Sequence, residues 1–77
     1  MGSARSPRYR LLLQRLKTAR LKAGMTQVQV AAVLGLPQSF VSKCESGERR
    51  IDAVELERFA KLYRKPVTYF LPDSPSS

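Results

Sequence analysis

Residues Thr26–Gly47, TQVQVAAVLGLPQSFVSKCESG, decide how the chain is read. Thr26 is followed three positions later by Gln29, the capping-box spacing in which hydroxyl and amide each satisfy a free backbone N–H. Val30, Ala31 and Leu34 then recur at helical rather than strand spacing. Gly35 stands where a helix takes a left-handed residue just past its end. Pro37 cannot continue that helix but fits the start of another. The second helix puts Val41 and Cys44 on one face and Ser39, Ser42, Lys43 and Ser46 on the other. Gly47 supplies a second stop. Helix, short glycine turn and helix make a helix-turn-helix pattern.

Composition narrows what can surround this unit. A chain of 77 residues is one domain, and at that size only about 60% of the unfolded surface is buried. An all-helical core is the economical solution. No run approaches the roughly 20 apolar residues of a membrane span. A single cysteine cannot close an internal disulfide, which points to a reducing, cytoplasmic setting. The net charge is +8, and its placement is uneven. Residues 1–44 hold eight basic side chains and no acidic one, whereas residues 45–77 hold six of each. A basic excess that coincides with a helix-turn-helix favours a polyanionic partner over a merely solvated surface.

Outward from the centre, Met1–Ser6 reads as a flexible arm, and residues 7–71 as the folded domain. Ser6 and Pro7 suit the N-cap and first position of helix 1, which is expected to end at Gly24. Tyr9, Leu12, Leu13, Leu16, Ala19 and Ala23 form its apolar stripe. Arg20 falls inside that stripe, and a cation removed from water needs a partner. Glu45, beside the Val41/Cys44 face, is the expected one. Helix 4 opens with a second capping box, Asp52 with Glu55, and buries Leu56, Phe59 and Ala60. Glu57 and Lys61 stand at the i,i+4 spacing of an outer-face ion pair. After Lys65-Pro66, Val67–Leu71 reads as a short fifth element whose Val67, Phe70 and Leu71 close the core. Residues 72–77, PDSPSS, have the composition of a disordered tail.

The chain resembles the DNA-binding domain of Cro/C1-type (XRE-like) helix-turn-helix transcriptional regulators. The resemblance runs from Leu13 to Leu71. It rests on Arg20, Ala23-Gly24-Met25-Thr26-Gln27, Ala31, Gly35, Gln38-Ser39, Val41-Ser42, Glu45, Gly47 and Leu56 in one register. It implies an all-α, lambda-repressor-like bundle of about five short helices, with the helix-turn-helix as helices 2 and 3. The same Arg20–Glu45 pairing is implied. So is sequence-specific binding of double-stranded DNA by a bacterial or phage-encoded, nucleoid-associated regulator, most simply a repressor. One helix reads few base pairs, and the resemblance implies a homodimer on a palindromic operator, with half-sites about one DNA turn apart. Val67–Leu71, with Tyr63 and Tyr69, is the expected dimer surface.

Within that frame Gln38, Ser39, Ser42 and Lys43 are the candidate base readers. Glutamine pairs with an adenine edge, lysine donates to guanine, and serine adapts. Gln27, at the N-terminal end of helix 2, suits a phosphate, and the resemblance implies that it helps set helix 3 in register. Ser46, Arg49 and Arg50 are placed to grip flanking phosphates, which set affinity rather than sequence choice. Cys44 stands where the family usually has a larger apolar residue and reads as small core filling. Phe40 lies at the edge of the buried face. Leu11, Leu21 and Val28 fall on outward faces.

Two other classes compete. A protein-interaction module on the same fold, antitoxin-like or coactivator-like, would be favoured by acids at positions 39, 42 or 43, where none stands. An enzyme is disfavoured by the lack of histidine, of a metal-ligand cluster and of a phosphate-cradling glycine loop. No cofactor, metal or small-molecule ligand is expected.

Overall fold

The computed structural model describes residues 6–72. The assignments made for the N-terminal arm before Ser6, and for the tail after Pro72, lie outside them. The described chain is all helical, in the order α1 (Pro7–Lys22), α2 (Gln27–Leu34), α3 (Gln38–Ser46), α4 (Ala53–Tyr63) and α5 (Val67–Phe70). None of these helices is long and apolar enough to cross a membrane.

Local chemistry sets the boundaries. The Ser6 hydroxyl accepts from the Tyr9 N–H at 3.1 Å with Pro7 at the first helical position. Both capping boxes close. Gln29 N–H donates to Thr26 Oγ1 at 3.1 Å and Thr26 N–H to Gln29 Oε1 at 2.9 Å. Glu55 N–H donates to Asp52 Oδ1 at 2.7 Å and Asp52 N–H to Glu55 Oε1 at 3.1 Å. Gly35 ends α2 at φ +72°, where Leu36 N–H reaches back to the Ala31 carbonyl at 3.0 Å. A side chain there would carry the left-handed penalty that glycine avoids. Pro37 stands one position earlier than a first helical residue: it is the N-cap of α3, and its carbonyl accepts from Phe40 N–H.

The core joins all five helices. Leu12, Leu13, Leu16 and Ala19 of α1 meet Val30 and Ala31 of α2, and Val41 and Cys44 of α3. Leu56, Phe59, Ala60 and Tyr63 of α4 and Phe70 of α5 complete it. α3 packs on α2 and α1, while α5 packs on α1 and α4, so α1 is the strut between the two ends of the molecule.

Four expectations need correcting. Ala23 is exposed, because α1 stops at Lys22 and Ala23 has already turned out as its cap. Val67 is 41% exposed; in a single-turn helix, Phe70 alone takes the inward position and seals the core. Tyr63 is buried and so offers no surface to a partner, since it continues the Leu56/Phe59/Ala60 stripe one turn further. Glu57 and Lys61 are exposed and form no ion pair among the described residues, as is common where water competes for two long side chains.

Candidate nucleic-acid interface

α3 has two chemically opposite faces. Val41 and Cys44 are fully buried, and burial pushes the Cys44 thiol above its ordinary range, which suppresses the thiolate. Gln38, Ser39, Lys43 and Ser46 are exposed on the other side, and Ser42 is half-buried between the two. The Lys43 ammonium makes no hydrogen bond or ion pair among the described residues, so its charge is fully presented. Phe40 is half-buried, its ring stacked with Phe59 at 6.4 Å between centroids.

A polar chain runs from the core to the start of this helix. Arg20 Nε donates to Glu45 Oε2 at 2.6 Å and its Nη2 to Glu45 Oε1 at 3.1 Å, a two-pronged pair. Arg20 Nη1 donates to the Met25 carbonyl at 2.9 Å, fixing the turn before α2. The arginine pKa is raised above its ordinary value, first by the Glu45 hydrogen bond and against the cost of burial. Glu45 Oε1 also accepts from Gln27 Nε2 at 3.1 Å. Gln27 Oε1 in turn accepts from Gln38 Nε2 at 3.4 Å. Gln27 is therefore half-buried and joins the ends of α2 and α3, instead of projecting freely into solvent.

Beyond α3 the basic residues are more constrained than their sequence suggests. Ser46 Oγ donates to the Lys43 carbonyl at 3.2 Å and accepts from Glu48 N–H at 3.3 Å, which shapes the turn. Arg49 Nη1 and Nη2 donate to Glu55 Oε1 and Oε2 at 2.8 and 2.9 Å. Its guanidinium lies 4.4 Å from the Phe40 ring centroid, and Nη1 also donates to the Arg50 carbonyl. Glu55 is held below its ordinary carboxylate range, first by Arg49 and further by the Asp52 N–H. The Arg50 guanidinium lies over the Tyr9 ring at 4.6 Å, and Tyr9 Oη accepts from Ile51 N–H at 3.0 Å.

Three of these partners were not visible as such in the sequence. Glu55 was legible as a capping residue but not as the anchor of Arg49. Phe40 was an edge residue, not the shelf for a cation. Arg58, whose Nη2 donates to the Leu34 carbonyl at 2.8 Å and closes the end of α2, gave no signal at all.

The comparisons point to the same helix-turn-helix unit. A family model described as helix-turn-helix matches residues 16–70. An uncharacterized HTH-type transcriptional regulator of Sinorhizobium medicae (strain WSM419) is 30% identical over 61 residues, 79% of this chain and 44% of that protein. An uncharacterized HTH-type transcriptional regulator of Rhizobium meliloti (strain 1021) matches to the same extent. The chain thus spans less than half the length of these relatives. No solved structure matches it. With the capped helix pair, the glycine turn and the Arg20–Glu45 tie in one register, the chain belongs to the Cro/C1-type (XRE-like) helix-turn-helix family.

Proposed function

We propose that the chain binds double-stranded DNA by laying α3 in the major groove, and that it regulates transcription by occupying its site, as a repressor does. The observation that carries this is the division of α3: a sealed Val41/Cys44 face and an opposite face of Gln38, Ser39 and Lys43 without a carboxylate. Gln38 and Lys43 are the proposed base readers, with Ser39 and Ser42 as adaptable neighbours. Gln27, bonded to both Gln38 and Glu45, holds the first of these side chains in place. Ser46, Arg49 and Arg50 form the proposed phosphate-facing turn, with Arg49 oriented by Glu55.

A homodimer on a palindromic site is part of the proposal. Its face is a groove of about 340 Å³ whose lining includes Tyr9, Ile51, Leu56, Val67 and Leu71. The exposed Val67 and the half-buried Leu71 supply apolar surface there, and Tyr63 has no part in it.

Selection of bound sites from randomised duplexes, followed by gel shifts and gel filtration of the complex, tests the reading. Gln38→Ala or Lys43→Ala is expected to cost about 1–3 kcal/mol and to relax preference at one or two base pairs. Uniform weakening on every sequence would make that side chain a phosphate contact. Recovery of no preferred site, with capture of a stable protein partner, would favour the interaction-module reading.

A further inference from the structure

A second concentration of positive charge lies away from α3. Arg8, Arg15 and Lys22 recur every seven residues on α1, so each is displaced from the last by only about 20° around the helix. Two of the three are placed by contacts with the C-terminal segment: Arg8 Nη2 donates to the Pro72 carbonyl at 3.1 Å and Arg15 Nη1 to the Tyr69 carbonyl at 2.7 Å. Arg15 and Lys65 each lie 5.0 Å from the Tyr69 ring centroid. Two cations sharing one ring are no farther apart than the roughly 10 Å screening length of 0.1 M salt. No carboxylate pairs with Arg8, Arg15, Lys22, Arg64 or Lys65 among the described residues. α1 contains no acid at all.

Arg64 sharpens the point. Gly24, Gly35 and Gly47 have positive φ, as expected of helix stops, but α4 ends on Arg64 at φ +58°. That conformation is disfavoured for any residue with a side chain, so an arginine is held next to Lys65 where glycine would be easier.

Direction separates this row from the α3 face. Arg20, which reaches α3 through Glu45, lies five residues beyond Arg15, or about 140° around α1. A duplex lying on α3 leaves the row uncovered.

We propose that this row binds the phosphate backbone of a second DNA duplex, so that the domain can hold two duplex segments together. The proposal rests on the DNA-binding reading of α3. Fourteen residues of helix separate Arg8 from Lys22, about 21 Å, and cations spread over that length suit an extended polyanion better than one carboxylate or one free phosphate. A second copy of this chain is the wrong occupant, because it would bring like charges together.

The test uses the full chain, a biotinylated mixed-sequence duplex on beads and a fluorescent duplex in solution. Affinity for a single duplex is measured separately. Wild type is expected to bind the single duplex and to capture the second. Arg64→Gln/Lys65→Gln should keep single-duplex affinity and capture the second about fivefold less well. Lys65→Gln alone, which leaves the α4 cap untouched, should show a smaller loss of the same kind. Unchanged capture by these variants overturns the proposal, since two α3 helices of a dimer would then be bridging. An equal loss of single-duplex affinity also overturns it, by assigning the cations to the first interface. Wild type that binds one duplex but captures polyglutamate instead of a second duplex overturns it in favour of an acidic protein. Failure to bind even the single duplex removes the DNA-binding reading itself.

Discussion

Tyr63 carries a buried hydroxyl with no hydrogen-bond partner among the described residues. Its ring is well placed, stacked with Phe59 at 6.1 Å between centroids in a fully packed part of α4. Burial pushes the phenol above its ordinary pKa, with the nearby Glu45 acting in the same direction. An unmet buried hydroxyl costs about 1–3 kcal/mol, whereas the ring contributes favourably. Tyr63→Phe is therefore expected to stabilise the domain by about 1 kcal/mol in chemical denaturation; a loss of that size would mean that the hydroxyl has an unrecognised partner. Arg20 is the opposite case. It is buried but makes three hydrogen bonds, two to Glu45 and one to the Met25 carbonyl. Arg20→Ala leaves Glu45 without its cation, and the expected loss is about 3–5 kcal/mol. An unchanged melting temperature would show that Glu45 finds compensation elsewhere.

Between α3 and α4 the decisive contact is made by side chains from a loop. Arg49 spans the gap, resting on Phe40 of α3 and gripping Glu55 of α4. The Glu55 carboxyl is held below its ordinary value of 4.5. Its contribution is thus complete above that value and is lost as pH falls through the lower folded one. Glu55→Gln should be less stable than wild type at neutral pH by under about 1 kcal/mol, because the pair is partly solvated. The two proteins should converge in acid. Denaturation curves that stay apart at low pH would show that the carboxylate charge is not what holds Arg49. The same loop shows how far a sequence can be read. Caps at Thr26 and Asp52 and stops at Gly35 and Gly47 were legible because each is decided within four residues. The α1 stripe was legible because a long helix repeats its period often enough to be seen. Val67 was misjudged because one turn contains no period. Tyr63 was misplaced although the Leu56/Phe59/Ala60 spacing already pointed it inward. The pairings of Arg49, Arg58 and Arg15 depend on how loops close and helices cross, and no local pattern encodes that.

Taken over the whole molecule, charge and its availability are different quantities. The net charge of +8 would correspond to a salt slope near −7 if every excess cation met a phosphate. The structure divides those cations. Arg20 and Arg49 are in ion pairs. Arg58, Arg8 and Arg15 donate to backbone carbonyls, the last two on the α5 side of α1. Lys43 is uncommitted on the exposed face of α3, and Arg50 lies nearby over Tyr9. Binding of one copy to one duplex should consequently show a slope of about −2 to −4, far shallower than the total charge implies. Lys43→Ala should reduce it by about 1 if that lysine meets a phosphate, and should alter sequence preference instead if it reads a base. The measurement is the logarithm of the binding constant against the logarithm of salt concentration, on a preferred site and on a scrambled one. A slope near −7 at one copy per duplex would mean that DNA wraps beyond α3 and onto the far side of α1, and the two-faced picture of the domain would have to be abandoned.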